Sequence, residues 1–370
     1  MKFTCEKNAL VSAISVASRT VAQKSTIPAL EGIYIRAGVK LTLSGYNLET
    51  GITISVDAEI QQTGACIMPS RLFFDIIRKL PDDTVSISVD EKFKVSIRGG
   101  ISSFTITAMS SEDYPELPEV ESDKGISLPQ NELKAMIGGT SFAVSENQAR
   151  PIHTGCLFEV EDTSITVVAV DGYRLALRRW KSEEPIGRTL KFVVPAAALK
   201  EAEKILGDTD EACTFFLGSK HILFTIGEAT LVCRLLEGEF LDWRRVLPQN
   251  QPVKLAVNVA KMTDSIERVG LIISEKLKSP VRCKFGENTA DFRSVSTIGE
   301  AHDVCQIAGD GQDMEIGFNC RYLLDALRAI PDAECSLELI NGLSPIVMNP
   351  CDGSERYSYM VLPVRLKAGE

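Results

Sequence analysis

The stretch Pro69-Ser-Arg-Leu-Phe-Phe-Asp-Ile-Ile-Arg-Lys-Leu-Pro-Asp-Asp83 determines how the 370-residue chain is organised, because its pattern occurs three times. Its apolar residues have helical spacing and predict one buried face, made of Leu72, Phe73, Ile76, Ile77 and Leu80. Arg71 and Arg78 fall on the opposite face. A proline at each end favours a helix that begins after residue 69 and ends before residue 81. The alternating residues 84–89 then predict a β-strand.

Two later segments, 195–208 and 319–332, repeat this pattern of a helix followed by a strand. The three segments start 126 and 124 residues apart. Asn319 takes the place of the proline in the third segment, and asparagine is a favourable helix N-cap. A short apolar run that predicts a strand precedes each segment, at 65–68, 190–194 and 314–318.

A second landmark keeps the same period. A helix-like segment leads through a basic or polar patch, which contains Lys276 and Lys278 in the third copy, to a proline and then a strand. The prolines are Pro28, Pro151 and Pro280, which lie 123 and 129 residues apart. The helix-like segments are 10–16, 132–137 and 261–266, and the strands are 32–36, 156–160 and 281–285. Two landmarks with one period identify an internal triplication.

The sequence predicts an α+β fold with three repeated domains, at 1–122, 123–247 and 248–370. Domains of about 120 residues have an ordinary size. Strands of period two indicate antiparallel sheets with one buried face, and two helices per repeat are expected to pack on one side of the sheet. Acidic stretches that contain proline, at 111–121 and 237–248, indicate linkers between the repeats.

The charge of the chain is unevenly distributed. Its net value of −10 argues against a protein that binds nucleic acid over its whole surface. Six predicted helical spans carry +5 together, which leaves −15 for the rest, and they are 6–24, 69–80, 129–141, 195–206, 259–270 and 319–330. This distribution is either that of ordinary solvated helix faces or that of a molecule with one mildly basic side and an acidic exterior.

Several classes of site find little support. The ten cysteines form no C-x-x-C pair and mostly occur in apolar strands, which predicts buried free thiols. The three histidines are scattered, so neither a zinc site nor histidine-based catalysis is supported. Nucleotide-binding and hydrolase motifs do not occur, which lowers the odds of an enzyme, and we expect no cofactor. Without a signal peptide or a membrane-spanning run, the protein is expected to be cytoplasmic.

One turn stands out in the second repeat. Asp171-Gly172 lies between two predicted strands and is a strong signal for a β-hairpin. Tyr173 and Arg174 follow directly, and these residue types are enriched where proteins hold partners. The segment is therefore either a turn and nothing more, or part of a partner-binding surface.

Val170-Asp-Gly-Tyr-Arg-Leu-Ala176, Tyr359-Met-Val-Leu-Pro-Val-Arg-Leu366 and the triplication together resemble the bacterial DNA polymerase III beta subunit family, the DNA sliding clamps. The resemblance covers the entire chain. It implies a head-to-tail homodimer that forms a six-domain ring, with helices lining the hole, and encircles double-stranded DNA without reading its sequence. It also implies a protein without chemistry of its own, which confers processivity by tethering the DNA polymerase III alpha subunit, the clamp loader and other clamp-motif proteins.

The resemblance further implies three groups of site residues. The partner-peptide pocket would consist of His153, Val170, Gly172, Tyr173, Arg174, Leu175, Leu241, Val246, Ser344, Met360, Leu362, Pro363, Val364 and Arg365. The DNA-binding positions would be Lys24, Arg71, Asn147, Lys200 and Arg282, and the dimer interface would pair Phe104 and Ile106 with Ile272 and Ile273. Three pocket positions depart from the residues common in the family, which puts the peptide preference in question: His153, Val170 and Leu241.

Other interpretations stay open at the level of sequence. One is a three-domain enzyme with a site at Asp171, Tyr173 and Arg174, in which a carboxylate beside an arginine does acid–base work. That interpretation leaves the triplication unexplained. Another is a ring-shaped scaffold without a DNA function, which retention on circular but not linear duplex would distinguish from a clamp. Buried core is the alternative for the four interface residues.

Overall fold

The computed structural model describes residues 1–121, 123–273 and 279–366, and within them it contains six α-helices and 23 β-strands. Lys276 and Lys278 of the third basic patch lie outside the described residues. The helices are α1 (Lys7–Ala17), α2 (Ser70–Lys79), α3 (Gln130–Gly138), α4 (Ala196–Ile205), α5 (Val259–Gly270) and α6 (Cys320–Arg328). Each repeat therefore contributes two helices, as the triplication predicts. Within the described ranges, no helix is long and apolar enough to cross a membrane.

The first of two compact units comprises residues 1–134 and 200–235, and its described residues form two antiparallel sheets. The five-stranded sheet has the order β5 (Ala58–Gln62), β1 (Lys2–Glu6), β7 (Thr84–Val89), β8 (Lys94–Gly99) and β9 (Ser102–Thr107). The eight-stranded sheet has the order β10 (Ile126–Pro129), β15 (Ala212–Leu217), β16 (His221–Ile226), β17 (Ala229–Arg234), β4 (Thr50–Val56), β3 (Leu41–Tyr46), β2 (Gly32–Ala37) and β6 (Gly64–Pro69). Because β17 pairs with β4, this sheet joins strands of the first and second repeats.

The second compact unit comprises the described residues of 135–199 and 236–370, which form one ten-stranded sheet. Its order is β14 (Leu190–Pro195), β11 (Gly155–Glu161), β12 (Ser164–Val170), β13 (Arg174–Lys181), β23 (Tyr357–Val361), β22 (Ile346–Pro350), β21 (Glu334–Leu339), β18 (Val253–Asn258), β20 (Gly299–Phe318) and β19 (Val281–Ser296). The antiparallel pairing of β13 with β23 joins the second repeat to the third. The hairpin of β19 and β20 is much longer than the strands expected at 281–285 and 314–318, and its register shifts around Glu287.

Helix α2 has the amphipathic character that its sequence predicts. Phe73, Ile76 and Ile77 are buried in the core of the first compact unit, and Leu80 at the C-cap is 3% exposed. Leu72, which the sequence placed on the same face, is instead 49% exposed. Successive residues are about 100° apart around a helix, so Leu72 lies at the margin of the buried stripe.

Helix caps and thiols also agree with the sequence. Oδ1 of Asn319 accepts a hydrogen bond from N of Tyr322 at 3.2 Å and so caps α6. The ten cysteines are free thiols, of which eight are buried, Cys320 is half-buried and Cys351 is exposed. Burial raises the pKa of Cys156 to about 12, which keeps this thiol protonated and unreactive near neutral pH.

Candidate functional site

The turn at Asp171-Gly172 joins β12 to β13, which confirms the hairpin predicted from the sequence. Oδ1 of Asp171 accepts hydrogen bonds from N of Tyr173 at 2.8 Å and from N of Arg174 at 3.0 Å. Gly172 has a φ of +91°, a conformation that residues with a side chain rarely adopt. The aspartate and the glycine therefore fix the turn, and Tyr173 projects from it with 61% of its surface exposed.

Arg174 is buried beside this turn and is 7% exposed. Its Nε donates to Oδ2 of Asp171 at 2.9 Å, its Nη1 to Oδ2 of Asp325 at 2.6 Å and its Nη2 to O of Phe142 at 2.6 Å. The guanidinium also lies over the ring of Tyr322, 4.4 Å from its centroid. Because all three of its nitrogens are engaged, Arg174 acts as a cross-link between the turn and helix α6.

The segment after β23 lies alongside the turn and is held at two points. N of Leu362 donates to O of Tyr173 at 2.8 Å, and N of Val364 donates to O of Gly317 at 2.8 Å. Tyr173 also stacks on Tyr322, with ring centroids 6.0 Å apart. These bonds tie residues 362–364 to the body of the second compact unit.

An apolar cluster of the second compact unit contains much of the predicted pocket. Its buried members are Leu157, Val168, Val170, Leu175, Leu177, Val193, Phe240, Trp243, Val347 and Met360. Half-buried side chains pack against them, and these are Ile152, Leu236, Val246, Leu247 and Leu362. Five predicted pocket residues thus come together in one cluster: Val170, Leu175, Val246, Met360 and Leu362.

The cluster has a closed floor and exposed apolar neighbours. Exposure is 3% or less at three floor residues, Val170, Leu175 and Met360. The exposed neighbours, each within two residues of a cluster member, are Tyr173 at 61%, Leu241 at 41% and Val364 at 38%. Apolar surface above a packed floor, with few polar groups, suits the binding of an apolar peptide segment.

Ten members of the cluster are absent from the sequence prediction, and Leu177, Trp243, Leu247 and Val347 are among them. Leu177 lies two residues after Leu175 on β13 and therefore on the same face, so strand alternation was a usable signal for it. Val347 lies opposite Met360 in the pairing of β22 with β23, a neighbour relation that the sequence alone does not give.

Trp243 anchors the linker between the second and third repeats. Its Nε1 donates to Oε2 of Glu159 at 3.0 Å, and Nη1 of Arg244 donates to the same oxygen at 2.8 Å. Burial alone would raise the pKa of Glu159, but these hydrogen bonds hold it below its ordinary value. The anchor fixes the segment that carries Leu241 and Val246.

The remaining predicted pocket positions have different surroundings. His153 packs edge-on against Phe240 with ring centroids 5.2 Å apart, and burial together with the nearby Arg150 lowers the pKa of its imidazole. The histidine is therefore neutral at pH 7 and packs as an apolar side chain would. Ser344 lies in the turn between β21 and β22, where its Oγ donates to Oδ1 of Asn341 at 3.0 Å. The last two positions are the half-buried Pro363 and the exposed Arg365.

The predicted DNA-binding positions differ in their availability. Four are exposed, namely Lys24, Arg71, Asn147 and Lys200. Arg71 lies in the first turn of α2, Lys200 lies on α4, and Lys24 lines a depression of about 620 Å³. Arg282 is half-buried within β19, and its Nε donates to Oε1 of Glu315 at 2.8 Å. The exposed cations can attract phosphates without breaking such a contact, whereas Arg282 would first have to leave its carboxylate.

None of the four predicted interface residues is buried. Phe104 is 40% exposed and Ile106 is half-buried on β9, which lies at the edge of the five-stranded sheet. Ile272 and Ile273 are half-buried and follow the end of α5. Apolar side chains on an open sheet edge are a feature of surfaces that pair with another chain.

Three family models match the chain in succession. They are the N-terminal domain of the DNA polymerase III beta subunit at residues 1–118, its central domain at 127–242 and its C-terminal domain at 244–365.

Individual relatives match over the whole length. A beta sliding clamp from Staphylococcus epidermidis is 32% identical over 381 residues, which covers 99% of each chain. The crystal structure of a putative DNA polymerase III beta subunit from Eubacterium rectale is 32% identical with a TM-score of 0.93, over 98% of this chain and 99% of that one. The DNA polymerase sliding clamp from Bacillus subtilis is 30% identical with a TM-score of 0.94, over 99% of this chain and 100% of that one.

Proposed function

The chain belongs to the DNA polymerase III beta subunit family, and from this membership we propose a role for each of its surfaces. It functions as a beta sliding clamp, which confers processivity on DNA polymerase III and catalyses no reaction of its own. The interpretation as an enzyme centred on Asp171, Tyr173 and Arg174 is therefore wrong. The carboxylate of Asp171 instead holds the turn and pairs with the buried guanidinium.

We propose that two copies assemble head to tail into a six-domain ring, each copy contributing domains at 1–122, 123–247 and 248–370. The three family models change over between residues 118 and 127 and between residues 242 and 244, which supports boundaries close to these positions. The exposed apolar residue Phe104 on the edge strand β9 supports an interface there, because pairing with a strand of the second copy would cover that edge.

The proposed ring encircles duplex DNA without reading its sequence. Lys24, Arg71 and Lys200 are exposed and supply the sequence-independent attraction to phosphates. The net charge of −10 keeps the remaining surface from holding DNA tightly. Retention then depends on the closed ring, and the protein acts in the cytoplasm, where the chromosome is replicated in bacteria.

The proposed partners bind at the apolar cluster of the second compact unit. They are the DNA polymerase III alpha subunit, the clamp loader and other clamp-motif proteins, each through a short apolar peptide. The observation that carries this proposal is the meeting of the Asp171 turn, the Trp243 linker and the segment after β23 around one apolar cluster. Exposed apolar side chains next to it, Tyr173 and Leu241 among them, provide the contact surface.

Peptide-binding measurements test this assignment. Leu241→Glu combined with Leu362→Ala should weaken binding of a fluorescent peptide from the alpha subunit roughly a hundredfold, because a charge and a lost side chain replace two apolar contacts. Both positions are at least partly exposed, so the fold should persist, whereas Met360 is 3% exposed and its truncation would also destabilise the core.

Val39→Glu is the matched control, since Val39 is fully exposed and far in sequence from the cluster. It adds the same charge and should leave peptide affinity unchanged. Sedimentation of each variant shows whether its oligomeric state is that of the wild type. Unchanged peptide affinity in the double variant would show that Leu241 and Leu362 do not belong to the peptide-binding pocket.

A further inference from the structure

A second concavity adjoins the apolar cluster. A cavity of about 390 Å³ opens on the ten-stranded sheet, and its lining includes Leu177, Trp243 and Leu247. These three side chains also belong to the cluster or pack against it. The cavity and the proposed peptide site therefore share a continuous apolar floor, although none of the three residues was among the predicted pocket positions.

Strand register places this cavity directly beyond the peptide site. Leu175 lies opposite Met360, and Leu177 lies opposite Ser358, one step further along the same strands. Residues two apart on a strand share a face and are about 6.6 Å apart. A ligand that runs along this face from Leu175 to Arg179 would cover about 13 Å, which is the length of an extended peptide of about four residues.

The rim of the cavity carries charges in pairs. Arg179 is paired with Glu355, and Nζ of Lys254 donates to Oε1 of Glu338 at 3.2 Å. Two cations and two carboxylates leave this rim without net charge. It therefore favours an uncharged or weakly charged segment over nucleic acid or a strongly acidic peptide.

Polar groups inside the cavity can fix the direction of a bound chain. Asn349 and Ser358 are half-buried and line the cavity together with Tyr357. An amide and a hydroxyl above an apolar floor offer both donors and acceptors to the main chain of a peptide. An apolar floor with a few placed polar groups is the usual composition of a specific binding site.

We propose that this cavity binds the residues that flank the clamp-binding motif, so that one extended partner peptide occupies the apolar cluster and the cavity together. The inference rests on the proposed function of the cluster as the peptide site. The flanking segment places an apolar side chain on Leu177 and Leu247 and its main chain against Asn349 and Ser358. The cavity thereby distinguishes partners that carry the same short motif by the residues that follow or precede it.

Nested peptides test the proposal with the full-length protein. Fluorescence anisotropy compares the shortest alpha-subunit peptide that binds with versions extended by four residues at either end. One extension should lower the Kd about tenfold, because one further apolar side chain is buried. Ser358→Phe fills the cavity, and it should remove this gain while leaving the affinity of the shortest peptide unchanged.

Two further variants make the test specific. Asn349→Leu keeps the size of the side chain and removes the amide, so the extended peptide should lose part of its advantage in affinity over the shortest peptide. This variant tests the cavity independently if Ser358→Phe proves unstable. Ser96→Phe makes the same substitution at a half-buried serine on β8 of the five-stranded sheet, and it should keep the full gain. Circular dichroism melting confirms that each variant is folded.

The outcomes separate the cavity from the peptide site. If the shortest peptide binds but neither extension improves its affinity, the cavity assignment is overturned and the peptide site stands. If Ser358→Phe weakens short and extended peptides by the same factor, the cavity has no separate role and the proposal also fails. If no peptide binds the wild type, both the peptide site and the cavity proposal are overturned.

Discussion

Arg174→Met should destabilise the second compact unit by about 3–5 kcal/mol, the usual cost of removing one partner from a buried charged network. Methionine keeps the apolar stem of the side chain but lacks the guanidinium. Two carboxylates and one carbonyl then lose a donor, and they belong to Asp171, Asp325 and Phe142. The side chains of Asp171 and Asp325 are 11% and 22% exposed, so water replaces the lost contacts poorly.

A double-mutant cycle assigns this loss to a particular contact. Asp325→Asn should cost about 1–2 kcal/mol by itself, since it removes one charge and keeps most of the shape. Combined with Arg174→Met it should cost about 1–2 kcal/mol less than the sum, because both substitutions break the same bond. Urea unfolding followed by tryptophan fluorescence measures these values, and both tryptophans, Trp180 and Trp243, lie in the second compact unit.

Arg245→Met is the control, because Arg245 pairs with a carboxylate at the surface and its side chain is 86% exposed. Its free energy of unfolding should stay within about 0.5 kcal/mol of the wild type. Arg174→Lys should lose most of what methionine loses, since an ammonium cannot reproduce the planar fork. A loss below about 1 kcal/mol for Arg174→Met, or strict additivity in the cycle, would refute the role of Arg174 as a cross-link.

Three further predictions concern DNA binding, the dimer and acid stability. Lys24→Glu with Arg71→Glu should weaken duplex binding most at low salt and flatten its salt dependence, and an unchanged slope of log Kd against log salt would contradict their role. Phe104→Glu should yield monomers, because the proposed contact would bury a carboxylate. Small-angle X-ray scattering tests this, and a wild-type ring of 740 residues, twice 370, should exceed the radius of gyration of roughly 27 Å of a compact particle. Glu159→Gln should destabilise the fold at neutral pH and lose this effect in acid. The folded pKa of Glu159 is depressed, so its contribution is present above the ordinary value of 4.5 and disappears as pH falls through the folded pKa, which urea unfolding at a series of pH values downward from 7 would show.

Local interactions explain what the sequence could predict. The buried face of α2 follows from the helical spacing of its apolar residues. The cap of α6 follows from the Asn319 side chain, which accepts a hydrogen bond from N of Tyr322 in the first turn of that helix. The hairpin at Asp171-Gly172 depends on two backbone N–H groups, at most three residues away, that donate to the Asp171 side chain, and on one positive φ. Each of these features is decided by residues that are close in sequence, so their pattern is visible without a structure.

Contacts between distant residues explain what the sequence missed. The burial of Arg174 depends on such contacts, because Asp325, 151 residues away, and the carbonyl of Phe142 complete its hydrogen bonds. The cavity beside Leu177 is equally hidden, since it forms where the Trp243 linker meets strands of two repeats. Repeats predicted as separate domains also share sheets, through β4 with β17 and through β13 with β23.

That sharing follows one rule, and the rule supports the proposed contact between two copies. Counted from the proline landmark, β4 is the third strand of the first repeat and β13 is the third strand of the second repeat. Each of them pairs with the last strand of the next repeat, β4 with β17 and β13 with β23. In the third repeat the long β19 spans the first two strand positions, so the counterpart is the first half of β20. Residues 299–306 of β20 pair with β19 on one side and with no strand among the described residues on the other.

The counterpart of the last strand is β9 of the first repeat, which is an open edge. We therefore expect β9 of one copy to pair with β20 of the other, which covers both edges and buries Phe104. Each copy has two such joints between its own repeats, and two head-to-tail contacts between the copies bring the total to six. The assembly is a closed ring rather than a filament when the rotation that relates the two copies returns to the first copy.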